Sequence, residues 1–230
     1  MLRLDACAIS NGGFTLSADL QVGPGARVAV IGPSGAGKST LLEAIAGFRT
    51  LDRGQIHWAD QNLTRMSPGQ RPVAMLFQDG NLFPNLSAAQ NVALGLRIRG
   101  RLTPEEEARV AQALDRVGLS GIGARKQAEL SGGQQSRVAL ARVLVQRRAL
   151  LLLDEPFAAL GPALKAEMLD LVSELVAETG ATLLMISHDP SDARRITDQA
   201  VLVAGGQAQA PVGTATLLGN PPPVLRDYLG

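Results

Sequence analysis

The segment Gly32–Ser39, with the sequence GPSGAGKS, constrains more than any other how this chain can fold and what it can bind. It satisfies the pattern GxxxxGK[ST], whose glycines let backbone N–H groups point inward around a phosphate group. Arg27–Ile31 before it is a short β-branched run typical of a buried parallel strand, and Lys38–Phe48 after it has apolar residues at helical spacing. The order of these segments therefore predicts a strand, a phosphate loop and a helix.

Each part of this loop has a predicted role in binding ATP. Lys38 is expected to reach the β- and γ-phosphates, and the hydroxyl group of Ser39 is expected to ligate Mg²⁺. The helix behind the loop adds the positive end of its dipole. The predicted nucleotide contacts are Gly32, Pro33, Ser34, Gly35, Ala36, Gly37, Lys38, Ser39 and the adjoining Thr40.

A second segment, Leu150–Glu155, supplies two carboxylates at the end of an apolar strand. A carboxylate in this position faces the crevice in which α/β sheets bind their ligands. Asp154 is predicted to hold Mg²⁺, and Glu155 to accept a proton from the attacking water or to orient it. A helix-capping aspartate would look similar, so this interpretation depends on the phosphate loop elsewhere in the chain.

A third segment, Ser131-Gly132-Gly133-Gln134, stands at the start of a predicted helix. Its serine and glycines leave N–H groups and a hydroxyl group for an anion, although an ordinary helix cap has the same composition. Two phosphate-binding segments are one more than a single ATP requires. We therefore expect two copies of the chain to close on two ATP molecules.

The remaining pattern alternates short apolar runs with helical periods, which predicts an α/β fold with a mostly parallel sheet and antiparallel strands at the N-terminus. Strands are expected at residues 2–9, 14–22, 27–31, 55–58, 73–77, 150–154, 182–187 and 200–204. Helices are expected at residues 38–48, 87–96, 104–119, 132–147, 162–178 and 190–196. We expect a single domain over 1–230, with a nucleotide-binding core at 1–78 and 131–210, a helical subdomain at 79–130 and a C-terminal tail at 211–230.

Composition narrows the classes of protein to consider. The chain has 22 basic and 21 acidic residues, so no charge surplus indicates a nucleic acid partner. The single cysteine excludes an internal disulfide and fits a reducing compartment. No apolar run approaches the roughly 18 residues of a membrane-spanning helix, and no secretion signal is evident. We expect a soluble chain that reaches a membrane only through a partner.

Together these motifs resemble the nucleotide-binding subunit of ATP-binding-cassette (ABC) transporters, over nearly all of residues 1–210. The resemblance implies that Leu130–Gln134 is the signature motif, which contacts the γ-phosphate of ATP held by the other subunit. It implies that Gln78 is the Q-loop glutamine, which senses magnesium and the attacking water beside the contact with the membrane subunit. His188 matches the switch histidine that touches the γ-phosphate. The implied catalytic set is Glu155, His188, Gln78 and Lys38, and the implied metal set is Ser39, Gln78 and Asp154.

The chain departs from the family pattern in two places. Ala158-Ala159-Leu160-Gly161 stands where the family usually has Ser-Ala-Leu-Asp, so a cross-dimer carboxylate is missing. We expect looser coupling between the two ATP sites, but retained hydrolysis because Glu155 is intact. The family also stacks an N-terminal aromatic ring on adenine. Phe14 is the only local candidate, and it fits a core position nearly as well.

Within the family, Phe77–Pro84 resembles the ATPases of bacterial binding-protein-dependent importers. Further segments resemble the ATPases of thiamine importers: Ile45–Phe48, Arg71–Gln78, Asn81–Phe83, Asp154–Phe157 and Leu183–His188. This likeness implies ATP and Mg²⁺ as ligands, a homodimer in the ATP-bound state, integral membrane permease subunits and a periplasmic solute-binding protein. It places the chain at the cytoplasmic face of the inner membrane, with thiamine or its pyrophosphate as the transported solute.

Two alternatives remain open at the level of the sequence. The first is an importer ATPase for another solute, such as an inorganic anion, iron or a polyamine. The second is a soluble, non-transport cassette ATPase that acts on ribosomes or DNA. The second is less favoured because the chain has one uninterrupted cassette and no basic surplus for nucleic acid.

Overall fold

A computed structural model describes residues 1–97 and 100–229 of the chain. Residues 98 and 99 of the expected helical subdomain and residue 230 of the expected tail lie outside the described residues. The strands are β1 Leu2–Asn11, β2 Phe14–Val22, β3 Arg27–Ile31, β4 Arg53–Trp58, β5 Gln61–Asn62, β6 Val73–Leu76, β7 Leu150–Asp154, β8 Thr182–Ile186, β9 Gln199–Ala204, β10 Gln207–Ala208 and β11 Val212–Gly213. The helices are α1 Lys38–Ala46, α2 Ala88–Ala93, α3 Pro104–Arg116, α4 Gly132–Leu144, α5 Pro162–Thr179, α6 Pro190–Ile196, α7 Thr214–Gly219 and α8 Pro223–Leu229.

One mixed sheet connects the strands, in the order β5-β4-β1-β2-β10-β9-β3-β8-β7-β6, with β11 paired to β9. The strands β9, β3, β8, β7 and β6 are parallel to one another, whereas β1, β2, β4 and β5 form antiparallel pairs. The expected fold class, a mostly parallel α/β core with antiparallel N-terminal strands, is confirmed. The carboxyl ends of the parallel strands lie along one edge, where an α/β sheet carries its ligand.

The alternation of side chains along β7 assigns the helices to opposite faces of the sheet. Leu150 and Leu152 pack in one hydrophobic cluster with residues of α1. Leu151 and Leu153 pack in a second cluster with residues of α2, α3, α4 and α5. The helix that follows the phosphate loop and the helix that follows Ser131 therefore lie on opposite sides of the sheet.

Helix α3 begins as the sequence predicts and ends earlier than expected. Thr103 accepts a hydrogen bond from the backbone N–H of Glu106, and Pro104 occupies the first turn. The helix stops at Arg116 rather than near residue 119 because Gly118 adopts a left-handed conformation with φ of 68°. Helix α4 also ends three residues early, at Leu144, and Arg147 beyond it has a φ of 50°.

The region after β9 contains structure that the sequence pattern did not predict. Strands β10 and β11 and helices α7 and α8 follow one another there. Leu217, Leu218 and Leu225 are buried against Ile31 and Leu202 of the sheet. Elements of two to seven residues are too short to show a hydrophobic period, so sequence periodicity could not find them. The division into core, helical subdomain and tail stays a prediction.

Candidate nucleotide-binding site

The phosphate loop connects the end of β3 to the start of α1, as predicted. Gly32 needs glycine for steric reasons, since a Cβ atom there would lie 1.9 Å from the carbonyl oxygen of Val203. Gly37 precedes α1 in a left-handed conformation with φ of 99°, and no side chain caps the helix. The positive end of α1 is therefore directed at the loop without a side-chain acceptor, which suits an anion.

The side chain of Lys38 reaches back to the start of the phosphate loop. Its Nζ atom donates hydrogen bonds to the carbonyl oxygens of Gly32, at 2.7 Å, and Pro33, at 2.9 Å. Burial lowers the pKa of this lysine, and the nearby carboxylates of Glu155 and Asp154 oppose that shift. The ammonium group thus lies between the loop and the acidic end of β7.

Phe14, the candidate for stacking on adenine, packs against the phosphate loop. A Cβ atom on Gly37 would lie 2.9 Å from Cε1 of the Phe14 ring, so glycine is required for this contact as well. The ring is half-buried and packs at the edge of the cluster around α1. Phe14 therefore contributes to packing, and its contact with adenine stays a prediction.

Asp154 ends β7 on the same face as α1, because it follows the alternation of Leu150 and Leu152. Its Oδ1 atom is buried without a hydrogen-bond partner. Burial raises the pKa of this carboxyl group, and the nearby side chain of Ser39 opposes the increase. A buried carboxylate oxygen without a partner is costly. Because Mg²⁺ prefers hard oxygen ligands, the pairing of Asp154 and Ser39 fits this cation.

Glu155 lies between Gln78 and His188, so the structure brings these three predicted residues together. Gln78 Nε2 donates to Glu155 Oε2 at 3.3 Å, and His188 Nε2 is hydrogen-bonded to Glu155 Oε1. The backbone of Glu155 has a φ of 45°, which is unfavourable for a residue with a side chain, and its N–H donates to Ile186 O at 3.2 Å. This turn directs the carboxylate away from β7 toward its two partners.

The segment after Gln78 is attached to helix α4. Arg142 of α4 donates hydrogen bonds to Gly80 O at 2.6 Å and to Asn81 O at 2.8 Å. Burial lowers the pKa of this guanidinium group. Arg142 could not be identified from the sequence, since nothing in its local pattern differs from an ordinary helix-surface arginine.

Ser131–Gln134 forms a capping box at the start of α4. The Ser131 hydroxyl oxygen accepts a hydrogen bond from the Gln134 N–H, and the Ser131 N–H donates to Gln134 Oε1. The helix-cap interpretation is therefore correct, and it is compatible with an exposed anion site because Ser131 and Gly132 are exposed. Helix α4 and helix α1, which follows the phosphate loop, pack on opposite faces of the sheet.

A cluster of charged and hydroxyl side chains, which could not be identified from the sequence, surrounds His188. Lys165 Nζ lies 2.6 Å from Asp189 Oδ2 and 2.8 Å from Asp192 Oδ1. The Ser187 hydroxyl donates to the other oxygen of Asp192 at 2.6 Å. Both chain neighbours of His188 are therefore fixed by this cluster.

Two further observations concern metals and membranes. Within residues 1–97 and 100–229, no group of three or more His, Cys, Asp or Glu side chains could hold a metal ion. A metal at this site would therefore rely on Asp154 together with non-acidic ligands and phosphate oxygens. None of the described helices is long and apolar enough to span a membrane.

A phosphate loop, an acidic strand end with converging polar side chains, and a separate serine–glycine helix start define an ATP-binding cassette. The sequence profile of the ABC transporter family matches residues 16–158, which is more than half of the chain. The chain therefore belongs to the ABC transporter family, and the resemblance inferred from its motifs is confirmed.

Similar proteins cover the whole chain. It is 64% identical to the thiamine import ATP-binding protein ThiQ of Ruegeria sp. strain TM1040 and 58% identical to that of Cereibacter sphaeroides, with 100% of each chain covered. The fold matches dimeric structures of the ATP-binding cassette MJ0796 with a TM-score of 0.83 at 27% identity, covering 93% of this chain and 99% of that chain. One of those structures contains ADP and Pi.

Proposed function

We propose that this chain is the ATP-hydrolysing subunit of a bacterial binding-protein-dependent thiamine importer. The convergence of Gln78 and His188 on the carboxylate of Glu155, beside the phosphate loop, carries the hydrolytic part of the proposal. Two full-length relatives named for thiamine import, at 64% and 58% identity, support the choice of solute.

In the proposed mechanism, the phosphates of ATP occupy the loop from Gly32 to Thr40. Backbone N–H groups of the loop and the positive end of α1 stabilise the phosphate charge. Lys38 exchanges its bonds to the loop carbonyls for the β- and γ-phosphate oxygens. Phe14, which packs on Gly37, lies beside the loop and supplies a face for adenine.

Asp154, Ser39 and Gln78 are the residues proposed to hold Mg²⁺. The buried Oδ1 atom of Asp154 without a partner supports this assignment, because a cation would satisfy it. When bound, the cation neutralises phosphate charge and orients the terminal phosphate.

Glu155 is the proposed general base. Its carboxylate orients the attacking water and accepts a proton from it, and Gln78 and His188 hold the carboxylate in place. His188 is exposed beside Glu155, which supports its proposed contact with the γ-phosphate. Because a precise orientation of the water matters as much as proton acceptance, both partners of Glu155 are expected to affect turnover.

The Ser131–Gln134 motif is proposed to close on ATP held by a second copy. Ser131 and Gly132 are exposed at the start of α4, where a second copy can reach them. The dimeric structures of the related MJ0796 cassette support a dimer as well.

An exposed aromatic surface beside Gln78 supports docking of a membrane permease, which would hold the chain at the inner face of the membrane. Phe48 and Phe83 are each 55% exposed, which is unusual for side chains of this size. Phe48 packs edge-to-face on Phe77, with ring centroids 5.1 Å apart, and Phe77 immediately precedes Gln78. A permease bound here would contact the segment that carries Gln78. The periplasmic binding protein would deliver thiamine to the permease.

Uptake of labelled thiamine by cells of the source organism tests the proposal. The chromosomal gene is replaced by wild type, by Lys38→Ala or by Arg65→Ala, which removes an exposed basic side chain outside the site. We expect uptake to be lost only with Lys38→Ala. Normal uptake in that variant, with its ATP hydrolysis shown to be abolished, would remove thiamine as the solute and direct the search to inorganic anions, iron and polyamines.

A further inference from the structure

We propose that Lys165 is a positioning residue for ATP hydrolysis, which acts by fixing the loop that carries His188 against helix α5. This inference rests on the proposed function, in which His188 and Glu155 act on the terminal phosphate of ATP. It adds a residue from a different element to that site.

The contacts of Lys165 join two elements that flank the site. Lys165 lies in the second turn of α5, four residues after Gly161, and the loop at His188 connects β8 to α6. Its Nζ atom is within 2.6 Å of Asp189 and 2.8 Å of Asp192. The ammonium group therefore joins the start of α5 to the residue that directly follows His188 and to the first turn of α6.

The cluster continues on the other side of His188. Ser187 donates to Asp192 Oδ2 at 2.6 Å and accepts from the Asp189 N–H at 3.1 Å. Asp189 is the N-cap of α6, and its side chain accepts from the N–H and the hydroxyl group of Ser191. Two carboxylates close together would repel each other without the ammonium group between them. Removal of Lys165 therefore loosens both backbone attachments of His188.

Charge and burial agree with this geometry. Asp192 is buried with 7% exposure, so its carboxylate needs a partner of opposite charge. The hydrogen bond from Lys165 lowers the pKa of Asp189 to about 2, and the Ser191 side chain contributes in the same direction. Burial opposes the charge on Lys165, but its bonds to Asp189 and Asp192 outweigh that effect and raise its pKa. The cluster is thus a charged and ordered unit at neutral pH.

The glycine at residue 161 makes the ion pairs of Lys165 more important in this chain. The family's usual aspartate at that position is missing, and the segment Ala158–Gly161 carries no charged side chain. Lys165 is the first charged side chain after Glu155 along the sequence. Within the chain, the start of α5 contacts the His188 loop through Lys165.

The test compares two ion pairs that join the same helices. Lys165→Met removes the ion pairs of Lys165 with Asp189 and Asp192, near the start of α5 and beside the site. Arg195→Met removes the bidentate ion pair of Arg195 and Asp170, at 2.7 Å, further along α5 and α6. With the full-length purified protein, we expect Lys165→Met to lower kcat for ATP hydrolysis about tenfold and to leave KM for ATP within about twofold. Arg195→Met is expected to keep wild-type kcat, and Lys165→Arg to restore most of it.

A double variant separates positioning from a general loss of stability. If Lys165 acts through His188, then Lys165→Met in a His188→Ala background lowers kcat no further. Wild-type kcat for Lys165→Met, equal losses for Lys165→Met and Arg195→Met, or fully additive losses with His188→Ala would each overturn the inference. Lys165→Gln provides a milder change if the methionine variant folds poorly, and its kcat is expected between those of wild type and Lys165→Met. Wild-type kcat for His188→Ala alone would instead overturn the proposed role of His188.

Discussion

Gln78 donates a hydrogen bond from Nε2 to Oε2 of Glu155 at 3.3 Å, although the two residues are 77 positions apart in sequence. Each follows a parallel strand, β6 or β7, and those strands are neighbours in the sheet. Their carboxyl ends therefore bring the two side chains to the same edge. The contact joins the segment beside the exposed Phe83 to the proposed general base.

Asp154→Asn is expected to weaken the binding of Mg²⁺ in a measurable way. The neutral amide is a poorer cation ligand than the carboxylate, so the Mg²⁺ concentration for half-maximal ATP hydrolysis should rise about tenfold or more. Without nucleotide the variant should be about 1 kcal/mol more stable, because a buried charge with an unpartnered oxygen is removed. Asp60→Asn, at an exposed turn, serves as the control. An unchanged Mg²⁺ requirement would contradict the assignment.

Arg142→Met is expected to lower both stability and turnover. The variant loses two hydrogen bonds from a charged donor to Gly80 and Asn81, at a cost of roughly 2–3 kcal/mol of unfolding free energy. The segment after Gln78 is then held less firmly, so kcat should fall while KM for ATP changes little. Arg109→Met, which loses one bond to Val145 O just beyond the C-terminal end of α4, should lower stability only. Equal kcat values for Arg142→Met and wild type would show that this attachment does not affect the site.

Gly161→Asp is expected to stabilise the protein. Gly161 is the N-cap of α5 with φ of −66° and ψ of 158°, and a Cβ atom there meets nothing within 4 Å. An aspartate can therefore cap the helix without strain, and loss of glycine flexibility in the unfolded chain adds to the gain, for a total of about 0.5–1 kcal/mol. Thermal unfolding of Gly161→Asp and of Gly161→Ala separates capping from flexibility. A lower melting temperature for Gly161→Asp than for Gly161→Ala would contradict this interpretation.

The same substitution tests coupling between the two ATP sites. A carboxylate at residue 161 restores the group that the family usually has there. We therefore expect the dependence of the hydrolysis rate on ATP concentration to become steeper in Gly161→Asp than in wild type. An identical dependence in both proteins would mean that Gly161 does not loosen the coupling.

The ion pair of Lys165 and Asp189 predicts a specific loss of stability in acid. The pKa of Asp189 is about 2 in the folded protein, below the ordinary value of 3.8, so the folded state binds its proton more weakly than the unfolded state does. The stabilisation is complete above the ordinary value and is lost as the pH falls through the folded value. Since the side chain of Asp189 is 44% exposed, solvent screening reduces the effect to about 1 kcal/mol or less.

Chemical unfolding of wild type and Asp189→Asn between pH 6 and pH 2 measures this effect. Wild type should be the more stable protein near pH 6, and the difference should shrink toward pH 2. A constant difference over that range would contradict the assignment of the low pKa to Asp189.

Local patterns predicted much of this fold and of the candidate site. The run Leu150–Asp154 is a strand with the predicted bounds, because four consecutive leucines ahead of an aspartate leave little choice in an α/β protein. The phosphate loop was equally predictable, since its glycines are required by short backbone distances such as that at Gly32. Both features depend on residues adjacent in sequence.

The contacts of Lys165 and Arg142 could not be predicted in the same way. Lys165 is 24 residues from Asp189, and Arg142 is 62 residues from Gly80, so their partners are known only once helices are packed on the sheet. The positive φ of Glu155 was equally hidden, because its strain is compensated by contacts with Gln78 and His188. Short elements after residue 204 were missed since they are stabilised by burial of a few leucines on the sheet.

Turnover by Glu155→Gln tests the central claim most directly. The amide keeps the size of the side chain and an oxygen for Gln78, but it cannot accept a proton from water. We expect this variant to bind ATP and form an ATP-dependent dimer on size-exclusion chromatography, with hydrolysis slowed about 100-fold or more. Glu174→Gln, on the exposed face of α5, should match wild type. Wild-type turnover by Glu155→Gln would contradict the account, because the base would then lie elsewhere.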